Sequence, residues 1–362
     1  MIPLFKVAMS TENACDAVNK VLASGYIGQG PVVDEFEKEL QKELGTKLTP
    51  ITVNSCTSAI DLSLRLIGVE PGDTVISSPM SCFASSSPIL AQHANILWAD
   101  IDPLTGLMDP KSVEKLITPE VKAIVAVNWA GRLCDYAALK SFGVPVIEDA
   151  AHTWDTFWDE ATRASTERGD FICYSLQAIK FLTSGDGGLI VTDNEEWHEK
   201  AILTRWYGLD RTKSESFRCT QSIKYPGHKY HMNDISASIG LSNIQYANLN
   251  VLSHRENAKV LCDGISNPNL TVPPFDPTCS YWLFSVLVEK GTKEDFVSYL
   301  KDNGIAASPV HHRNDFFECT QPFANPNLPG VDNFAGKQVS IPVGWWLSTT
   351  SLEYIINVCN NY

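Results

Sequence analysis

One lysine in this chain stands where an amine can do covalent chemistry. Lys180 lies in FICYSLQAIKFLTSGDGGLIVT, where an apolar run delivers one amine to a glycine-rich turn, downstream of a second apolar run ending in VIEDAAH. Burial disfavours the charged form of an amine, so a lysine so placed can attack a carbonyl near neutral pH and form a Schiff base. A carboxylate closing a neighbouring strand would complement it by holding the pyridine nitrogen of pyridoxal phosphate protonated. Asp149 is placed to be that carboxylate. A lysine beside a glycine-rich turn is otherwise an ordinary surface residue, so the assignment depends on the parts around it.

Three segments supply those parts. NSCTSA at 54–59 ends a β-branched run and opens a helical pattern, so helix-start N–H groups and the positive end of the dipole face whatever binds there. That is a seat for phosphate, although Asn54, Ser55, Thr57 or Ser58 would serve equally as a plain helix cap. VPVIEDAAH puts Glu148 and Asp149 at the carboxyl end of a strand, where open α/β sheets collect ligands, with His152 within one turn. Acidic residues after strands also cap helices. In YSLQAIKFLTSGDGG, Ser175 precedes Lys180, and Gly185, Gly187 and Gly188 shape a turn that allows close backbone approach. A dinucleotide fingerprint does not fit SGDGG, which falls between two strands rather than opening a helix.

The elements that must position these residues alternate. ITVNS is followed directly by the helical pattern CTSAIDLSLRLIG, which stops at Gly68; DTVISSP, KAIVAVNW and VPVIEDA repeat the theme of a short apolar strand followed by polar or helical sequence. Such alternation predicts a mainly parallel sheet covered by helices. From FICYSL to GGLIVT the strands come closer together, which allows a meander or a sheet reversal. A long helix is expected over about 233–262. After it SNPNLTVPPFDP changes the texture, and a strand (YWLFSVLV), a helix (KEDFVSYLKDNG), a short strand (IAASPV) and a closing helix (SLEYIINVCNN) predict a smaller α/β domain. The boundary falls within 245–275 and is taken as 1–250 for the large domain and 251–362 for the small one.

Composition excludes other classes. The chain has 362 residues, 44% hydrophobic and 19% charged, with a net charge of −14 that disfavours nucleic acid and anionic membranes as partners. The ten cysteines show no C-x-x-C pair and no matching histidine spacing, so no metal site is expected; several lie in apolar runs, which fits free thiols in a reducing compartment. No signal peptide and no apolar run of about 18 residues is visible, so the reading is a soluble cytoplasmic protein.

Taken together, five blocks in order resemble the DegT/DnrJ-type sugar aminotransferase family of fold-type-I pyridoxal-phosphate enzymes, nearly end to end. SGYIGQGPVVDEFEKEL is similar to the family's glycine-rich opening, NSCTSAI to its phosphate loop, EDAAH to its strand end, YSLQAIKFLTSGDGG to its lysine segment and GHKYHMNDISASIGL to its last block. The resemblance implies that Lys180 bonds the cofactor, that Asp149 pairs with the pyridinium nitrogen and that His152 contacts the ring. It implies phosphate contacts from Thr57, Ser58 and Ser175, a stacking role for Phe83, and Lys229 reaching the phosphate from the partner subunit of a homodimer. Tyr26 and His311 match substrate-binding positions. The implied reaction is ping-pong transfer of an amine, usually from glutamate, to a nucleotide-linked keto-6-deoxysugar. Two rivals share the scaffold: a sugar dehydratase, whose relatives replace the lysine by histidine, and a noncatalytic sensor.

The chain also departs from the pattern. TWDTFWDEATRAS is bulkier than the small stretch usual after the strand end, which puts substrate identity in doubt. Cys56 stands where glycine is preferred and His228 where tyrosine is usual, and neither is expected to touch the covalent chemistry. His311 belongs to a histidine pair that could simply be solvated, and Trp345 and Trp346 read as core or interface aromatics. Asp210, Arg211 and Arg218 are candidate diphosphate contacts or ordinary loop charges.

Overall fold

A computed structural model describes residues 1–154, 166–211, 220–325 and 327–362 of the chain. The TWDTFWDEATRAS departure lies, beyond Trp154, outside the described residues, as does Arg218.

Seven strands form the main sheet: β1 (Ile51–Val53), β2 (Thr74–Ser77), β3 (Asn95–Trp98), β4 (Val121–Val127), β5 (Val146–Asp149), β6 (Phe171–Ser175) and β7 (Gly188–Val191). Their spatial order is β1-β7-β6-β5-β4-β2-β3. β3, β2, β4, β5 and β6 pair in parallel, while β7 runs antiparallel to both β6 and β1. Of the two possibilities left open there, the sheet reverses, at the turn that carries Lys180.

The strands are buried on both faces, as a helix-covered parallel sheet requires. Their two-residue period divides the core: Ala123, Val125 and Ile147 enter one hydrophobic cluster, and Ile124, Ala126 and Val146 the other. The helix Cys56–Ile67 lies over β5, β6 and β7 on the first of these faces. Ser55 caps it by accepting the Ser58 N–H, and Gly68, at φ 92°, ends it.

A 31-residue helix, Asp234–Gly264, packs on the helices Thr11–Ser24 and Pro31–Leu44 and, further along, on Thr349–Asn360. It leads to a second antiparallel sheet of β8 (Leu270–Thr271), β9 (Phe284–Val288) and β10 (Gln338–Ile341), ordered β10-β9-β8. Two expectations are corrected here. IAASPV makes only isolated bridges, Ile305 to Ile2 and Ser308 to Ser340, because Pro309 has no N–H to continue a ladder. The partner strand of β9 is instead QVSI at 338–341, which the sequence reading missed. The strand read in YWLFSVLV begins only at Phe284, leaving Tyr281 and Trp282 in the segment before it. Among the described residues, no helix is long and apolar enough to cross a membrane.

Candidate active site

Alternation along β5 sends its two acids to opposite faces. Glu148 follows Val146 away from the 56–67 helix, where it is fully buried and held by Arg168 Nε at 3.0 and 3.1 Å, Asn128 Nδ2 at 2.7 Å and the Gly169 N–H at 3.1 Å. It is a structural ion pair. Asp149 follows Ile147 towards the helix and closes the strand with 4% exposure.

Three groups hold the Asp149 carboxylate. Ser85 Oγ donates to Oδ2 at 2.6 Å, the Ala151 N–H donates to Oδ1 at 3.0 Å, and Cys56 Sγ lies 3.9 Å from Oδ1. Burial pushes this carboxyl above its ordinary range, while the Ser85 and Ala151 hydrogen bonds and the Lys180 charge pull the other way. The Cys56 thiol, at the first helical position, thus lies against this carboxylate, and burial followed by the charge of Asp149 raises its own pKa well above the usual value.

Lys180 stands on the turn between β6 and β7, its Nζ 3.5 Å from the centroid of the Trp282 ring. Burial brings its pKa down to about 8, with the charge of Asp149 opposing. A fraction of the amine is then neutral near physiological pH. The Trp282 indole stacks on His152 at 4.0 Å and 18°, and its N–H donates to Ile179 O at 2.9 Å. His152 lies parallel to His311 at 5.7 Å, and Trp129 meets both rings edge-on. Burial, then the Lys180 and His311 charges, lower the His152 pKa well below its usual value; burial takes His311 to about 4. Both rings are accordingly neutral at pH 7, and His152 Nδ1 and His311 Nε2 are buried with no hydrogen-bond partner among the described residues. The histidine pair is split: His311 faces inward, whereas His312 is exposed.

The residues of NSCTSA, expected to meet phosphate, sit beside this cluster. Ser58 N–H is taken by Ser55 Oγ at 3.1 Å and its hydroxyl donates to Asn54 at 2.7 Å, whereas the amides of Cys56 and Thr57, at the first two helical positions, have no partner within the helix. Ser175 ends β6 opposite Gly188 of β7. A Cβ on Gly188 would stand 2.5 Å from Cys56 N and Ser55 C, so β7 passes directly under the helix start. Phe83 begins the helix Phe83–Ala91 that carries Ser85, its half-buried ring edge-on to Phe317 at 5.1 Å.

Two expected residues join elsewhere. Lys229 is exposed, but the backbone beside it reaches the phosphate loop through an Asn54 N–H to Tyr230 O bond of 2.6 Å. Tyr26, also exposed, accepts from Arg211 Nη2 at 3.2 Å. Arg211 also donates to Gln29 O at 2.6 Å and lies 4.3 Å from the Trp206 ring, so it ties loops together. Trp345 and Trp346 border a crevice that also holds Lys180 and Trp282. The sequence reading missed Ser85, Trp282 and Trp129. Their signals were slight: a serine within SCFASSSP, and tryptophans in strand-like runs that read as core.

Comparison with known proteins bears on this arrangement. The chain is 29% identical over 358 residues to the spore coat polysaccharide biosynthesis protein SpsC of Bacillus subtilis, covering 94% of this chain and 91% of that protein. It is similar in structure to AtS13 from Actinomadura melliaura (TM-score 0.92, 36% identity, 100% of this chain and 99% of that one). The sugar aminotransferase CalS13 from Micromonospora echinospora matches with a TM-score of 0.91 and 31% identity, covering 100% of both chains. The fold is therefore the fold-type-I α/β architecture of the sugar aminotransferases. The family model for DegT/DnrJ/EryC1/StrS aminotransferases matches residues 9–360, and with it the chain belongs to that aminotransferase family.

Proposed function

We propose that this protein is a pyridoxal-phosphate-dependent, cytoplasmic aminotransferase that converts a nucleotide-linked keto-6-deoxysugar into an amino sugar, with glutamate as donor. The observation that carries the reading is the convergence of the Lys180 amine, the buried Asp149 carboxylate and the start of the 56–67 helix at the carboxyl ends of the sheet's parallel strands. The names of CalS13 as a sugar aminotransferase and of SpsC as a polysaccharide biosynthesis protein support a sugar as acceptor.

The residues present fit the cofactor. Its aldehyde needs an amine that can lose a proton, its ring nitrogen an anchored carboxylate, and its phosphate a helix start; the partnerless His152 Nδ1 marks a polar group built to meet a ligand. Lys180 would hold the aldehyde carbon, Asp149 the ring nitrogen, His152 and Phe83 the ring, and Thr57, Ser58 and Ser175 the phosphate, joined by Lys229 of the partner subunit. When bound, the cofactor supplies an electron sink for the pair left as a C–H bond beside the amino nitrogen breaks.

The chain's own groups do the rest. Lys180, with a pKa near 8, can take a proton as a free amine and return it as an ammonium. Asp149, fixed by Ser85 and Ala151, would hold a proton on the cofactor's ring nitrogen. The neutral rings of His152 and His311, with Trp129 and Trp282, exclude water around the amine. Tyr26, Ile27, Tyr207 and Ile223 are each exposed, and such apolar side chains are of the kind a homodimer would cover. We read residues 1–250 as the cofactor-binding domain and 251–362 as the small domain, with the chain start joined to the latter through Ile2 and Ile305.

The test is to incubate the protein with pyridoxal phosphate, glutamate and a panel of nucleotide-linked keto-sugars, and to follow amino-sugar formation by mass. The wild type should turn over repeatedly and Lys180→Ala should not. Repeated turnover by Lys180→Ala, or transfer to none of the nucleotide-linked sugars, would overturn the reading.

A further inference from the structure

We propose that Phe5 is a positioning residue for the Lys180 amine: carried on an extended strap, residues 2–10, that is tied at one end to the second sheet and at the other to the lysine turn, its ring fixes Trp282 against Lys180. The proposal rests on Lys180 as the amine that meets the cofactor and is independent of the sugar and of the amino donor.

Residues 2–10 form neither helix nor ladder beyond the single bridge from Ile2 to Ile305. A segment of this kind keeps one course only where side-chain and backbone ties offset the entropy of ordering it, and here the ties reach two different cores. At the start, Ile2 packs on the core of the second sheet, its N–H donates to Gly304 O at 2.7 Å and its carbonyl accepts the Ala306 N–H at 2.9 Å. Pro3 O then accepts the indole N–H of Trp346 at 3.1 Å. At the other end, the Ser10 N–H donates to Asn243 Oδ1 at 2.8 Å, and Asn243 Nδ2 donates to Thr183 O at 2.9 Å, three residues beyond the lysine. Phe5 lies between these anchors and packs against the main core.

Trp282 needs such support. It precedes β9, outside the ladder, and the chain enters it through Tyr281 at a left-handed φ of 52°. The indole N–H bond to Ile179 O fixes one point of the ring but leaves it free to tilt about that point. Its plane is set by stacking: His152 lies 4.0 Å away at 18° and Phe5 4.9 Å away at 29°. The attraction of the Lys180 Nζ, 3.5 Å from the ring centroid, depends on that plane, because the charge must lie over the face of the ring. Phe5 also borders the crevice that holds Lys180, together with Trp345 and Trp346, and Lys6 Nζ lies 5.3 Å from the Trp345 ring. The strap therefore forms part of the wall of the lysine site.

The pH dependence of pyridoxal phosphate capture by cofactor-free protein, followed by stopped-flow absorbance, tests the assignment. Phe5→Ala should lower the midpoint by about 0.3–0.7 pH unit, because a tilted indole favours the ammonium less. Phe5→Tyr, which keeps the ring, should restore the wild-type midpoint, and Phe5→Leu, which fills space without a flat face, should not; a merely space-filling Phe5 would be rescued by leucine as well as by tyrosine. Trp346→Phe keeps a ring and deletes only the N–H to Pro3 O. It should shift the midpoint the same way by less, and add nothing to Phe5→Ala in the double variant, since the strap acts through Phe5. Trp346→Phe also carries the test where Phe5→Ala does not fold. A wild-type midpoint in Phe5→Ala, Phe5→Leu or Trp346→Phe, or additive shifts in the double variant, would overturn the proposal and leave Lys180 as the reacting amine. A wild type that captures no pyridoxal phosphate would overturn that reading and the proposal with it.

Discussion

Lys180 Nζ rests over the Trp282 ring at 3.5 Å, while the indole N–H of Trp282 donates to the backbone of Ile179, the residue just before the lysine. The ring is therefore pinned by the segment whose side chain it supports. Two opposing effects meet at the amine: burial disfavours the ammonium, and the ring face and Asp149 favour it. Burial wins, and the pKa stands at about 8 rather than the ordinary lysine value of 10.5.

The first prediction follows from that value. Only the neutral amine attacks an aldehyde, so capture of added pyridoxal phosphate by cofactor-free protein should speed up as pH rises through about 8 and level off by about pH 9 to 10. Stopped-flow absorbance measures it. A rate that continued to climb past about pH 10 would mean that the amine is not desolvated.

Trp282 should be visible in the same experiment. A cation–π contact of ~0.5–2 kcal/mol favours the ammonium, so its loss in Trp282→Leu should move the midpoint down by about 0.4–1.5 pH units. Trp282→Phe, which keeps a π face, should shift it less. Because His152 also loses its stacking partner, turnover in Trp282→Leu should fall by about tenfold or more, the scale at which positioning errors act. An unmoved midpoint in Trp282→Leu would show that the contact carries no energy.

Much of this site was legible in the sequence, and for identifiable reasons. Lys180, Asp149, Thr57 and Ser58 lie at junctions between elements, where short spacing along the chain forces proximity in space. The parallel strands announced themselves through apolar runs, and the 56–67 helix through its cap and Gly68. Trp282 and Ser85 were not legible because they reach the lysine and Asp149 from distant elements: Trp282 arrives from the segment between β8 and β9 of the second sheet, and Ser85 from a different helix. The separate fates of Glu148 and Asp149 follow from strand alternation, yet which of them meets the helix depends on which face that helix covers. The turn of the Cys56 thiol towards Asp149 was not legible either, because a residue type at a helix start gives no direction for its side chain. β10 was missed because QVSI is short and polar enough to pass for loop, and only pairing with β9 makes it a strand.

Gly188 tests how tightly the proposed phosphate seat is built. A methyl group there would meet Cys56 N and Ser55 C at 2.5 Å, and both are backbone atoms that cannot swing aside. Gly188→Ala must part β7 from the helix start, which should cost on the order of 1–3 kcal/mol. Thermal denaturation would register that loss. The dissociation constant for pyridoxal phosphate should rise by about tenfold as the helix N–H groups are displaced. Unchanged affinity in a destabilised variant would separate the seat from the glycine.

The ion pair behind the sheet should act on stability and not on chemistry. Glu148 is fully buried, with Arg168, Asn128 and Gly169 supplying its hydrogen bonds, and it faces away from Asp149. Arg168→Met removes the cation and leaves a carboxylate in the core, which should cost about 3–5 kcal/mol. Pairing it with Glu148→Gln removes the orphaned charge as well, so the double variant should recover part of that loss, and urea denaturation of both proteins measures the difference. The folded fraction of each should retain the wild-type absorbance of bound cofactor, because the pair touches neither Lys180 nor the 56–67 helix. A single variant destabilised by less than about 1 kcal/mol would show that solvent reaches Glu148 and screens its charge, contrary to its burial beneath Asn128 and Arg168.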